Sequence, residues 1–273
     1  MPTALASPIS APPVDAVPPP LAELRQASKK VSQSPTSTIT AFRNISFRVN
    51  PGDRIGIFSV SNIESIAFVN CLAGVTPLDG GKLIHNCSVS WPLGTNESLD
   101  SKLSGYANAL FAADLYSVAG EQAQDLTLIQ ELTGLDSEQF HRPVSTYKGL
   151  EKDRLRLAIS LAFPFDLYTV SKISGWSLKD KGIVARRIRR FLNQRLSQGT
   201  IVMTAAGQPA LVLRYCDQGV VIMDQSIVYR GDPEVCLEMI KDRRRLLREE
   251  QQNLLKDDEG LPAEDDQASL SFD

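Results

Sequence analysis

The sequence predicts an α/β fold, a largely parallel sheet with helices on both faces. Three observations carry this. Short apolar runs alternate with longer stretches of helical period from residue 39 to residue 231, and such alternation favours parallel strands joined by helical crossovers. The stretch "PGDRIGIFSVSNIESIAFVNCLAG" (51–74) reads as turn, strand, polar bend and helix in close succession. At 273 residues and 42% hydrophobic, the chain can bury a sizeable core, in one large domain or two small ones.

Taken in order, the elements follow from local pattern. Seven prolines fall among the first twenty residues and Ser, Thr, Gln and Lys dominate to about Thr38, so residues 1–37 are expected to be a disordered arm that cannot offset its ordering entropy. Period-two alternation then predicts strands near 39–49 and 54–58 around the turn "NPGD", with a helix from about Glu64 to Gly74. A strand near 82–90 and helices near 105–117 and 121–134 follow. "GLEKDRLRLAISLAFPF" (149–165) is a helix with Leu155, Ala158, Ile159 and Ala162 on one face. "DLYTVSKI" (166–173) is a short buried-type strand, then come a helix near 178–197, the run "GTIVMTAA", a helix near 208–215 and the hairpin-like "QGVVIMDQSIVYRGD". From "PEVC" onward the chain reads as one long helix, with a C-terminal helical unit at 242–256 and an acidic, disordered tail at 257–273.

Composition excludes several functions. The formal net charge of −3 gives no global field for nucleic acid or an anionic membrane. Four scattered cysteines without a C-x-x-C, and two histidines, argue against a zinc site or a disulfide framework and suit a reducing cytoplasm. The first twenty residues lack a basic segment and a continuous apolar core, so no secretory signal is expected there. No apolar run reaches the roughly 18–20 residues that span a bilayer.

Residues 51–74 outline a phosphate-binding loop, in which backbone N–H groups at a helix N-terminus and a lysine cradle phosphates. Yet "SVSNIES" contains neither glycine nor lysine. The frame is present and the usual phosphate ligands are absent.

The order of segments resembles a family. "FRNISFRVNPGDRIGI" resembles the opening of ATP-binding cassette (ABC) domains, and "NCLAGVTPLDGGKL" the stretch after their phosphate loop. "SWPLG", "VSTY", "RLRLAISLAFPFDLY" and "LVLRYCDQGVVIMDQSIVYRGDPEV" are similar to the ATPase subunits of capsule-polysaccharide and O-antigen exporters. The likeness spans about 39–241. It implies a P-loop NTPase-like cassette at 38–241, with a RecA-like α/β core, an antiparallel β subdomain and a helical subdomain at about 100–163.

Carried across residue by residue, the resemblance implies that the nucleotide ligands are lost. The phosphate-loop glycines fall on Ser59, Asn62 and Glu64, the lysine on Ser65, and the Ser/Thr pair that reaches Mg²⁺ and phosphate on Ile66 and Ala67. The Q-loop glutamine aligns with Asp100, the signature "SSG" with Lys148, Gly149 and Leu150, and the Walker B aspartate and catalytic glutamate with Ser171 and Lys172. The D-loop aspartate falls on Leu178, the switch histidine on Ala206 and the adenine-stacking aromatic on Thr40. A Glu64 carboxylate about 4 Å from a phosphate would cost roughly 4 kcal/mol at an effective dielectric near 20. A helix N-terminus returns only about 0.3–1 kcal/mol, and no neighbouring cation is legible. Phosphoryl transfer is almost wholly positioning and electrostatic stabilisation. The expectation is therefore no enzyme, no ATP or Mg²⁺, and a non-hydrolysing homologue serving polysaccharide export as a structural or regulatory subunit.

The expected partners are an exporter permease, an active ABC ATPase subunit, or both, in a homo- or heterodimer, at the cytoplasmic face of the inner membrane. A freestanding scaffold or regulator stays open as the alternative, and behind it an active ATP-binding transporter subunit. "LKDKGIVARRIRRFLNQR" (178–195) carries seven basic residues and one acidic, which reads as the solvated face of an amphipathic helix or as an anion-binding surface; nucleic acid is not expected. In the C-terminal helix Ile240, Leu247 and Leu254 recur every seven residues, but Cys236, Arg243 and Glu250 spoil the second seam of a coiled coil. Trp91 reads as structural, and Trp176 as a filler of the nucleotide volume.

Overall fold

The computed structural model describes residues 18–34, 36–93, 99–171 and 181–259. Among them, eight strands form two sheets. Lys172, Trp176 and Leu178 lie outside the described residues, as do residues 1–17 and the tail from 260 onward.

The central sheet has five strands: β3 (Arg54–Ser59), β5 (Leu167–Val170), β6 (Thr200–Thr204), β7 (Gln218–Met223) and β8 (Ser226–Gly231). Their order is β5-β6-β3-β7-β8, parallel except for β8, which returns antiparallel along β7. The sequence explains the arrangement: β3, β5, β6 and β7 are short, almost wholly buried runs, as strands covered on both faces must be. Helices cover them on either side. α1 (Asn62–Leu72) packs one face, while α5 (Gly149–Ala162), α6 (Ile183–Gln198), α7 (Pro209–Tyr215) and α8 (Pro233–Glu259) are placed on or beyond the other. The helical region adds α2 (Gly105–Tyr116), α3 (Gln122–Thr133) and the single turn α4 (Ser137–Phe140).

The second sheet departs from expectation. Residues 22–34, placed in the disordered arm from sequence, form β1 (Ala22–Ser34), the middle strand between β2 (Ser37–Val49) and β4 (Gly80–His85). The arm reading fails because β1 is polar on its outer face and its register slips at Leu24/Ala27 and again at Ala27/Lys29, so its buried residues Ala22, Leu24 and Ala27 never show a clean period of two. The expected strand at 82–90 begins earlier and stops at His85, after which the chain meets β5 through isolated bridges at Val89 and Leu93 and through Ser90, whose hydroxyl accepts from the Thr169 N–H at 2.9 Å. The C-terminal helix is one element from Pro233 to Glu259, so residues 242–256 are no separate unit and 257–259 are helical rather than disordered tail.

Phe68 of α1 ties the two sheets together, its ring meeting Phe42 at 5.6 Å and Phe47 at 5.2 Å, both edge-on. Two glycines seat helices by lacking a side chain. A Cβ on Gly56 would collide with Val212 of α7, and one on Gly219 with Cys236 of α8. No helix among the described residues is long and apolar enough to cross a membrane.

Candidate functional site

Because β3, β5 and β6 are parallel neighbours, their C-terminal ends share one edge of the sheet, where open α/β sheets bind ligands. Ser59 ends β3, Ser171 follows β5 and Ala206 follows β6. The Ala205 N–H donates to the Ile57 carbonyl at 2.9 Å, which draws the end of β6 to the loop after β3. The Thr204 hydroxyl donates to the Ser171 carbonyl. The structure therefore brings together the phosphate-loop, Walker B and switch positions named from sequence, as far as they are described.

The loop keeps the strand–bend–helix frame, closed by its own side chains. Ser61 is the N-cap of α1, with φ −93° and ψ 130°, and its hydroxyl accepts from the Ile63 N–H at 3.3 Å. The Ser65 N–H donates to the Ser59 hydroxyl at 3.2 Å, and the Glu64 N–H to the Ser61 carbonyl at 3.2 Å. Ser59 in turn donates its hydroxyl proton to the Ser61 carbonyl at 2.5 Å. Ser65 is buried, with its hydroxyl on the Asn62 carbonyl at 3.3 Å; Ala67 is buried and Ile66 half-buried.

Glu64 is half-buried, and its Oε2 is buried without a hydrogen-bond partner among the described residues. Burial pushes its carboxyl above the ordinary value, Asp224 adds to the rise, and a hydrogen bond from the Ser61 backbone N–H works the other way. The fixed carboxylate assumed from sequence is thus a group that accepts a proton more readily than usual.

The premise that no cation stands near the loop is corrected. Arg244 of α8 donates from Nε to the Val60 carbonyl at 3.0 Å, and from Nη2 to the Ser59 carbonyl at 3.2 Å and to Asn62 Oδ1 at 3.3 Å. Helix α8 is aimed there by its start and its seat. Asp232 Oδ1 accepts from the Glu234 and Val235 N–H groups at 2.7 and 3.3 Å, Pro233 opens the first turn, and Cys236 and Ile240 are buried at the sheet. Ser59, Ser65, Ala206, Gly207, Ile240 and Arg244 line a cavity of about 190 Å³. Arg244 lies 182 positions or more from its loop partners, and its only sequence signal was a basic run on an amphipathic helix.

The remaining positions sit apart. Asp100 precedes α2 in a turn clamped by Asn108, which donates to the Asp100 carbonyl at 3.0 Å and accepts from its N–H at 2.8 Å. Its carboxylate accepts from the Lys102 N–H at 2.9 Å. Buried Asn108 escaped the sequence reading because nothing marks a mid-helix asparagine as a clamp. Lys148 caps α5, its N–H donating to Glu151 Oε2 at 2.8 Å, with Gly149 in open space and Leu150 exposed. Thr40 stands within β2 opposite Lys30. Trp91 packs edge-on against Tyr116 at 5.1 Å, a structural contact.

A larger cleft of about 650 Å³ between β1, β2 and β8 is lined by Arg25, Arg48, Arg230 and Glu23. Its charges are settled: Glu23 accepts from Arg25 at 2.7 Å and Arg48 at 2.8 Å, hydrogen bonds that hold its carboxyl down to about 2, and Arg230 lies over the Phe47 ring at 5.7 Å.

No protein-family model matches the chain. Among curated proteins it is 24% identical over 199 residues to the polysialic acid transport ATP-binding protein KpsT of Escherichia coli, covering 73% of this chain and 87% of the relative. It is 26% identical over 183 residues to the ATP-binding protein BexA of Haemophilus influenzae, covering 67% and 81%. To the capsule polysaccharide export ATP-binding protein CtrD of Neisseria meningitidis serogroup B it is likewise 26% identical over 183 residues, covering 67% and 82%. Among solved structures it superimposes on a dimeric ATP-binding cassette in a post-hydrolysis state bound to ADP and Pi, with TM-score 0.60 and 13% identity over 78% of this chain and 98% of that one. The chain thus has the ABC cassette fold, and its homologues are ATP-binding subunits for export of capsule and related polysaccharides.

These likenesses overturn two expectations. No enzyme, and neither ATP nor Mg²⁺, were expected, yet each of these relatives is an ATP-binding protein and nothing in the comparisons sets this chain apart as inactive. The physical grounds for that expectation weaken as well: a cation does stand at the loop, and burial raises the carboxyl's affinity for a proton.

Proposed function

We propose that this chain is the ATP-binding subunit of a polysaccharide ABC exporter, acting as a structural or regulatory element against an inner-membrane permease, in a dimer with its own copy or with a second ATP-binding subunit. In this reading Ser59, Asn62, Glu64, Ser65, Ile66 and Ala67 form the phosphate loop and Asp100 stands at the Q-loop. Lys148, Gly149 and Leu150 stand at the signature, Ser171 and Lys172 at Walker B, Leu178 at the D-loop and Ala206 at the switch.

One observation carries the transporter role. Helix α2 follows Asp100 and leaves Phe111 and Leu115 exposed, Phe111 by 62%, with exposed Leu103 before the helix and Val118 after it. Phe111 and Leu115 are spaced by four residues, so they make one short stripe on the helix. An apolar stripe that its own domain leaves uncovered is a surface for a protein or membrane partner, and its place beside the Q-loop position suits the permease. Pull-down of the full chain from membranes of cells that express it tests this. Wild type is expected to retain a polysaccharide permease, and the double variant F111D/L115D to lose it while staying folded. Equal recovery by both chains, or no permease with either, contradicts the role.

A further inference from the structure

The phosphate loop is occupied on both sides by the chain itself. On one side, the carbonyls of Ser59 and Val60 and the Asn62 side chain all accept from one guanidinium. On the other, donors that a phosphate loop offers to its ligand are spent internally: Ser65 N–H on the Ser59 hydroxyl and Ile63 N–H on the Ser61 hydroxyl. An incoming phosphate must replace the Ser59 and Ser61 hydroxyls as acceptor, and the loop must shift to let them swing away. Arg244 resists that shift, because moving residues 59–62 breaks charge-assisted hydrogen bonds to a helix already seated on the sheet by Cys236 and Ile240.

We propose that α8 is an autoinhibitory strap on this loop: Arg244 pins the self-capped arrangement, and nucleotide enters as the pin is withdrawn. The inference rests on the reading of the loop as a nucleotide site and adds its regulation. The rest of the helix suits the part. Helix α8 has 27 residues, about 40 Å at 1.5 Å per residue. Past Arg244 it turns outward: Arg245, Leu246 and residues 248–253 are exposed. A subunit gripping that outer half would draw Arg244 from the loop without touching the nucleotide. Because a ligand shifts such an equilibrium only by its preference for one state, nucleotide and strap oppose each other.

The test compares full-length wild type with R244A and R244Q, the latter keeping much of the side-chain stem packed. Two readouts are taken: amide hydrogen exchange across residues 59–65 without ligand, and Mg·ATP titration. Both variants are expected to exchange these amides at least tenfold faster than wild type, with the β3 and β7 cores unchanged, and to bind Mg·ATP about tenfold more tightly. Unchanged exchange at 59–65 overturns the pin. Faster exchange with equal or weaker Mg·ATP binding overturns the autoinhibition and makes Arg244 a support of the site instead. If no chain binds Mg·ATP at millimolar concentration, the nucleotide reading fails, and the gate fails with it.

Discussion

Two places in this molecule bring glutamate and arginine onto neighbouring elements, and the fold treats them differently. In the cleft between the sheets, Glu23 is shared by Arg25 and Arg48, and its carboxyl lies far below its usual range. At the loop after β3, Arg244 bonds backbone carbonyls while Glu64 keeps a buried, unpaired oxygen and a raised affinity for protons. The first arrangement is complete and asks for nothing further. The second leaves a polar group unsatisfied, which natural structures tolerate where something else is to bind or move. The larger cavity is structural scaffolding, and the smaller one is where function is to be sought.

The comparison can be broken or sharpened by mutation. Phe68 sits in the core shared by the two sheets, so F68A is expected to cost about 3–5 kcal/mol, as truncating a buried Phe does, seen in denaturant midpoint; a cost below about 1 kcal/mol would mean that the sheets do not share one core. S61A removes the N-cap of α1 and is expected to cost about 1 kcal/mol, with faster exchange confined to the first turn of that helix. The two glutamates should show opposite pH signatures. The depressed Glu23 stabilises the fold above its ordinary value of 4.5 and loses this as pH falls toward about 2, so E23Q is destabilising at neutral pH and nearly silent at the acid end. Glu64 has the reverse sign: the folded chain holds its proton more tightly than the unfolded one, so its contribution is lost as pH rises through the folded value. E64Q should therefore raise the melting temperature at pH 7 relative to wild type, with the gap closing near pH 4. Matching signs for the two variants would erase the distinction. The smallest effect on stability, within about 0.5 kcal/mol, is expected for F111D/L115D, whose residues meet solvent rather than core.

How much of this was legible in the sequence depends on how local the cause is. Strands β3, β6 and β7 and helices α1 and α5 announce themselves because buried apolar runs and one-sided helices impose their period on neighbouring residues. Strand β1 hid because a register shift between Leu24 and Ala27 puts Ala27 out of phase with Ala22 and Leu24, and because its other face is polar. The phosphate-loop frame was legible from turn, strand and bend; the state of its charges was not. Whether Glu64 repels or accepts a proton depends on burial by neighbours, and the cation on the loop's carbonyls comes from a helix some 180 residues away. A sum over the loop's own letters therefore predicts an uncompensated carboxylate and the loss of ATP. Positions 172–180 lie outside the described residues, so the Lys172, Trp176 and Leu178 assignments stay with the proposed reading.

The most direct measurement is a Mg·ATP titration of the full-length wild-type chain, followed by amide resonances or exchange rates at residues 59–65. Saturable change centred on Ser59, Ser61, Glu64 and Ser65, abolished by excess ADP but not by adenosine, is the outcome expected of a nucleotide subunit. A chain whose loop amides stay unmoved at millimolar Mg·ATP would contradict it.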